Sequence, residues 1–236
     1  MYVPAHFAMT DEQITQVLAG LGQADLVTSH ADGLMATPLP LLFDPSVGER
    51  GALLGHVARN NTQWSLPCVG ESLVIAHLTD HYVSPAWLPS TAEHGQTVPT
   101  WDYVTVHAYG ELVAHDDPAW TLDMGRRLTE DHESARTRGS TGAAAAPRWS
   151  VDAAPADHIT RMLRAIVGLE LRITRVVGKA KMAQNKTPAD VAALADALAA
   201  QSDPIGEQWL REQSLPAARR RAAVLADVAT RRSPRP

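Results

Sequence analysis

Between Ala24 and Val113 the chain is a succession of short strand-like runs, with no series of amphipathic helices between them to carry β–α–β crossovers. A doubly wound parallel sheet requires such crossovers, so these runs are expected to pair antiparallel. Ala24 to His30 reads as the first strand. Ala31-Asp32-Gly33 is a tight hairpin connection in which Gly33 is free to take positive φ. Leu34 to Asp44 is the return strand, interrupted by Pro38 and Pro40. Each proline removes a ladder donor, so this strand needs an open edge, a bulge or a ligand beside it. Gly51 to Val57, Ser72 to Leu78 and Tyr103 to Val113 are the further strands, the last rich in Val, Thr and Tyr.

Helices flank this block. Thr10 and Gln13 form a capping box ahead of Ile14, Val17, Leu18 and Leu21, which recur at helical spacing. Asp116-Asp117-Pro118 opens a second helix expected to reach about Glu133. Ala135 to Pro155, centred on Gly139-Ser140-Thr141-Gly142, reads as a mobile surface loop. Ile159, Met162, Leu163, Ile166 and Val167 make one apolar helical stripe ended by Gly168; Leu169, Leu171 and Ile173 then alternate with polar residues as a half-buried strand. Thr187-Pro188 starts an Ala-rich helix through Ala200, and beyond Asp203-Pro204 the chain reads as helical and charged, ending in a disordered tail. The expected class is α+β: a small antiparallel barrel decorated by helices.

At 236 residues the chain suits one large domain, or one with a helical appendage. Only two Phe and four Tyr are present, so aliphatic side chains must fill most of the core, and the six Trp stand out as candidate site residues. The formal net charge of −5 gives no chain-wide attraction to nucleic acid. A local basic patch remains at Arg219-Arg220-Arg221 with Arg231, Arg232 and Arg235, whose plainer reading is a solvated helix face and frayed tail. Cys68 is the single cysteine, which excludes an intrachain disulfide and a thiol-rich metal site. No run approaches the ~18 apolar residues of a membrane span, and Met1 to Phe7 lacks the features of a signal peptide, so the expected compartment is the cytoplasm.

Two polar clusters could carry chemistry. Gly55-His56-Val57-Ala58-Arg59-Asn60-Asn61-Thr62-Gln63-Trp64 follows a strand and offers a bidentate cation with several neutral donors, the set a phosphate monoester needs. The same residues also suit an exposed polar turn in which Arg59 caps a carbonyl. Gly178 to Lys186 brings Lys181, Gln184 and Asn185 together, either as anion contacts or as an ordinary basic loop. His77 and His81 straddle what reads as a strand end, without the spacing of a zinc motif, so a hydrogen-bonding role is expected and no metal. Neither a nucleophile elbow nor a P-loop nor a dinucleotide fingerprint occurs, and no catalytic residue is singled out.

Blocks in collinear order then add a family resemblance. They are Met1 to Phe7, Ala36-Thr37-Pro38-Leu39-Pro40-Leu41-Leu42, Gly55 to Trp64, Tyr82-Val83-Ser84-Pro85-Ala86-Trp87, Val98 to His107, and Met162 to Asn185. In these the chain resembles the PaiB family of negative transcriptional regulators. The resemblance implies an FMN-binding, pyridoxamine-phosphate-oxidase-like split β-barrel over residues 1–210, followed by a charged helical or disordered tail over 211–236. It also implies a homodimer with the flavin near the interface. On it, Thr37 and Leu39 on one strand and His56, Val57 and Ala58 on another line the isoalloxazine. Arg59 and Asn61 hold the phosphate, Lys181, Gln184 and Asn185 add cofactor contacts, and Trp87 walls the site. The chain departs from the family at Pro38, where His is frequent, and at Asn60 and Thr62, where Ala and Pro flank the matching Asn.

Three functions follow from the resemblance. The first is a flavin-bound sensor that represses transcription, its DNA role resting on the family name and not on any DNA-reading motif. The second is an FMN-dependent oxidoreductase acting on a small molecule, in which the cofactor supplies the chemistry. The third is a haem-handling protein, since related split barrels bind haem.

Overall fold

In the computed structural model, residues 1–137 and 147–232 are described, the side chain of Arg232 excepted. They contain a seven-stranded sheet in the order β2-β1-β5-β6-β7-β4-β3. The strands are β1 (Gln23–His30), β2 (Gly33–Pro40), β3 (Leu42–Asp44), β4 (Ala52–Ala58), β5 (Ser72–Val83), β6 (Thr100–His115) and β7 (Ile166–Lys181). The helices are α1 (Asp11–Ala19), α2 (Pro89–His94), α3 (Pro118–Thr137), α4 (Ala156–Arg164), α5 (Pro188–Ala200), α6 (Pro204–Trp209) and α7 (Leu215–Arg232). The chain divides into two compact units. The larger comprises Asp11–Ala76 and Val106–Val177, the smaller Met1–Thr10, His77–Thr105 and Gly178–Pro236.

In the larger unit, β1 and β2 form a hairpin whose two-residue loop ends on Gly33 at φ 123°, with His30 opposite Gly33. The ladder continues without a break to Gln23 opposite Pro40, so both prolines lie in it, and β2 is the edge strand. That open edge accommodates the missing N–H groups with no bulge. Although β2 and β4 are not neighbours in the sheet, a Cβ on Gly55 would meet Leu41 Cδ2 at 2.8 Å and the Pro40 carbonyl at 2.9 Å. Only a curled sheet brings strands so far apart in order into contact, and only glycine permits that approach. The opposite face of β4 carries Ala52 and Leu54, which form a buried cluster with Met124 and Leu128 of α3.

The smaller unit centres on α5, whose Val191, Leu194 and Leu198 are fully buried, as is Leu210 in the π-helical turn between α6 and α7. Thr187 caps α5 by accepting from the Asp190 N–H, and Asp203 caps α6 by accepting from the Gly206 N–H. Such caps contribute about 1 kcal/mol each.

Several expectations are corrected. The stripe through Val167 is not one helix: α4 ends at Arg164, and Ile166 and Val167 open β7 opposite Ala58 and Val57. Two β-branched residues beside a free strand favour the ladder over a further helical turn. Gly168 is therefore a strand residue and not a helix stop; the Trp120 ring crosses it where a Cβ would stand, 2.3 Å from Cζ3. Gly178 to Lys181 is not loop but the end of β7, bridged through Lys179 to Ala8. β5 continues to Val83, so His77 and His81 share one strand. α3 runs past Glu133 to Thr137 and Val151–Ala153 is a 3-10 turn, which shortens the expected loop; Gly139-Ser140-Thr141-Gly142 lies outside the described residues. The C-terminal segment is helical through Arg232, and Arg235 is also outside the described residues.

Candidate functional site

Alternation along β2 turns Met35, Thr37 and Leu39 inward and leaves Ala36, Pro38 and Pro40 exposed. Thr37 is anchored from two directions. Its hydroxyl donates to Gln63 Oε1 at 2.6 Å and accepts from Asn61 Nδ2 at 3.1 Å. Gln63 is 1% exposed; its Nε2 donates to Thr28 Oγ1 at 2.9 Å and to the Leu26 carbonyl at 3.2 Å. Thr28 in turn meets His30 Nε2 at 2.7 Å, and His30 Nδ1 donates to the Pro67 carbonyl at 3.0 Å. Because a carbonyl can only accept, Nδ1 carries a proton, and in the neutral ring Nε2 accepts from Thr28. The result is a directional chain from Asn61 through Thr37, Gln63 and Thr28 to His30. Asn61 also caps the 3-10 turn Thr62–Trp64 by accepting from the Gln63 N–H, which fixes the loop after β4.

Arg59 leaves the end of β4 and is held firmly. Its Nε donates to the Arg164 carbonyl at 2.8 Å, and Nη2 donates to the Ile166 carbonyl at 3.1 Å and to Asp116 at 2.7 Å. The carbonyl-capping role is therefore real. Nη1 is left without a protein partner among the described residues, so the side chain still presents two N–H groups and a cationic charge. The guanidinium beside Asp116 lowers the Asp116 carboxyl below its usual range. For an anionic ligand Asp116 is a competitor.

Leu39 and Val57 are 3% and 4% exposed, so they offer only main-chain atoms at a surface, whereas Ala58 is exposed. His56 lies on the α3 side of β4, on the same face as Leu54. Its Nδ1 is buried without a partner, and burial lowers its pKa, keeping the imidazole neutral.

The other predicted residues belong to the smaller unit. Lys181 donates to Thr100 Oγ1 at 2.6 Å, to the Trp101 carbonyl, and to Asp102 Oδ1 at 3.3 Å, which occupies all three ammonium hydrogens. Gln184 braces the turn after β7: its Oε1 accepts from the Met182 N–H and its Nε2 donates to the Ala180 carbonyl. The brace supports Ala183 at φ 58°, a left-handed conformation costly for a residue with a Cβ. Asn185 is exposed, and its carbonyl accepts from Arg221 Nη1. A cavity of about 290 Å³ beside this turn is lined by Asp102, Lys181, Asn185 and Lys186, among others. Trp87 ends a separate 3-10 turn, half-buried.

Asp102 is the residue that sequence reasoning missed here. It is 1% exposed, its Oδ2 has no partner, and burial raises its pKa to about 6 despite Lys181. Its only sequence signal was a carboxylate inside an otherwise apolar strand. Gln63 was likewise quoted as part of a cluster without a role.

A match to the family described as “Putative FMN-binding domain” covers residues 1–175. The chain belongs to this FMN-binding family. Its cofactor is accordingly FMN, and its curled antiparallel sheet is the flavin-binding split barrel. The FMN-binding chain is 25% identical over 212 residues to the Protease synthase and sporulation protein PAI 2 of Bacillus subtilis, covering 88% of this chain and 94% of that protein. It is 35% identical over 109 residues to an uncharacterised protein of Saccharomyces cerevisiae, covering 45% of this chain; it spans 64% of that relative's length. Among solved structures, the flavocytochrome Anf3 of Azotobacter vinelandii superposes with a TM-score of 0.50 at 13% identity, over 76% of this chain and 72% of that one. No described helix is long and apolar enough to cross a membrane.

The residues present fit a flavin mononucleotide. A phosphate monoester needs a fixed cation and neutral donors, and Arg59 Nη1 and the second Nδ2 hydrogen of Asn61 remain available. The open edge of β2 has a carbonyl but no N–H at Pro38 and Pro40, which suits a heterocycle that brings its own donor.

Proposed function

We propose that this FMN-binding protein is a flavin-bound regulator of the PaiB kind. It acts as a cytoplasmic homodimer with FMN near the subunit interface and represses transcription in response to the state of the flavin. Thr37, Leu39 and the main chain of His56 to Ala58 hold the isoalloxazine, and Arg59 and Asn61 hold the phosphate. Lys181, Gln184, Asn185 and Trp87 complete the cofactor environment. FMN supplies redox chemistry when bound. The protein orients it and, through Thr37, reads it: the hydroxyl proton is spent on Gln63, so a remaining lone pair faces outward as an acceptor for an N–H of the ring.

The observation that carries this reading is the chain of hydrogen bonds running inward from Thr37. A sensor needs its ligand contact tied to the core, and here the edge strand is tied through Gln63 to Thr28 and His30. The long alignment with PAI 2 supports the same assignment.

A second reading, an FMN-dependent oxidoreductase, is favoured by the apolar cavity beside His56, which has room for a small molecule. Selection of genomic fragments by the FMN-loaded protein at about 150 mM salt separates the two. The regulator retains a discrete set of sequences and consumes no NAD(P)H. Loss of all DNA at that salt together with steady NAD(P)H oxidation transfers the assignment to the enzyme.

A further inference from the structure

The α4 helix carries a strongly amphipathic sequence, yet none of its residues is buried. Ile159 and Leu163 are half-buried and Met162 is 47% exposed. An apolar helical face left open in this way costs hydrophobic free energy unless something fills the space before it. The space is a cavity of about 240 Å³ within the larger unit, between α4, α3 and the outer face of β4. Met124 and Leu128 line it from α3, Trp149 stands at it, and His56 contributes the imidazole. No Asp, Glu, Lys or Arg lines it. Thr121, also in the wall, has its hydroxyl committed to the Asp117 carbonyl.

We propose that this cavity is a binding site for a small, neutral, single-ring aromatic alcohol. The ring packs among Met124, Leu128, Ile159 and Leu163, and the hydroxyl donates to His56 Nδ1. This inference rests on the cavity alone and holds with or without FMN in place.

Size, polarity and chemistry each restrict the occupant. A cavity of ~150 Å³ lined by aliphatic side chains takes up benzene, so about 240 Å³ holds one ring with small substituents. A wall without charge rejects ions, because burying an unpaired charge is far costlier than any packing gain. The buried, unpartnered Nδ1 requires a hydrogen-bond partner, which favours a hydroxylated ring over a bare hydrocarbon. Methionine sulfur and the Trp149 ring favour an aromatic over an aliphatic alcohol.

Full-length protein titrated with 4-methylphenol, followed by calorimetry and Trp fluorescence, tests the proposal. Saturable one-to-one binding with Kd on the order of 1 mM or tighter is expected. Gly125 also lines the cavity, and a Cβ there meets nothing within 4 Å. Gly125→Leu therefore fills the cavity without a backbone clash, and removing a helical glycine favours the fold. This variant is expected to lose 4-methylphenol binding while keeping its melting temperature and its FMN affinity. His56→Leu is expected to weaken 4-methylphenol about tenfold while toluene binds no worse than to the wild type. Absence of saturable binding, or binding unchanged in Gly125→Leu, overturns the proposal. So does a wild-type dimer that Gly125→Leu converts to monomer, which would make the cavity a contact between two copies. A Gly125→Leu variant that loses FMN as well would assign the cavity to the cofactor and also overturn it.

Discussion

Thr37 on the edge strand and Gln63, at 1% exposure, are joined by a 2.6 Å hydrogen bond that ties the proposed flavin contact to the interior. The Gln63 amide also satisfies Thr28 and the Leu26 carbonyl. Replacing it with an apolar side chain strands several buried polar groups at once. Gln63→Leu is expected to lower the unfolding free energy by about 2–3 kcal/mol and to weaken FMN binding, since Thr37 loses its anchor. Urea unfolding and flavin titration of the same variant check both; unchanged stability would mean the hydrogen-bond chain does not hold the strand.

Arg59 is shared between the protein and the proposed phosphate. Two carbonyls and Asp116 position it, and Asp116, 57% exposed at its side chain, adds a negative charge where an anion is to bind. Asp116→Asn is expected to tighten FMN about two- to fivefold, with the gain shrinking as salt is raised. Weaker FMN binding in this variant would show that Asp116 is needed to aim the guanidinium.

Asp102 makes a pH prediction of definite sign. Its folded pKa is raised to about 6 by burial, above the ordinary 3.8. Between those values the folded chain holds a proton that the unfolded chain has released, so stability falls as pH rises through that window and levels off above it. The contribution amounts to about 1.4 kcal/mol less stability at pH 8 than at pH 5. Asp102→Asn is expected to flatten that part of the profile, measured by denaturant midpoints across pH. An identical slope in the variant would refute the assignment.

Much of the fold was legible because its determinants are local. Gly33 announced the hairpin, Thr187-Pro188 and Asp203-Pro204 announced helix starts, and Pro38 with Pro40 required an edge strand, which β2 is. The errors came where pairing partners decide. Ile166 and Val167 fit a helical stripe equally well until β4 stands beside them, and Gly178 to Lys181 read as loop until Ala8 bridges Lys179. At the site, residue types at Arg59 and Asn61 suggested an anion cradle. That Arg59 would also cap two carbonyls, that Lys181 would spend its donors on Thr100, Trp101 and Asp102, and that Gln184 would brace its own turn depend on contacts distant in sequence.

Two glycines probe the packing of the sheet. A Cβ on Gly110 would lie 2.0 Å from the Arg172 carbonyl oxygen, backbone against backbone, whereas one on Gly22 meets nothing within 4 Å. Gly110→Ala is expected to cost about 3 kcal/mol or more, because neither strand can move aside. Gly22→Ala is expected to be nearly neutral. Thermal melts of the two variants compare them directly, and a mild Gly110→Ala would contradict the strand spacing.

The central claim is that FMN is held at the β2–β4 rim with its phosphate on Arg59. Equilibrium titration of the flavin-free protein with FMN, followed by quenching of flavin fluorescence, tests it most directly when wild type and Arg59→Ala are run side by side. The expected result is one FMN per chain, with affinity about tenfold or more weaker in the variant. Equal affinity in the two proteins, or no FMN binding by the wild type, would contradict it.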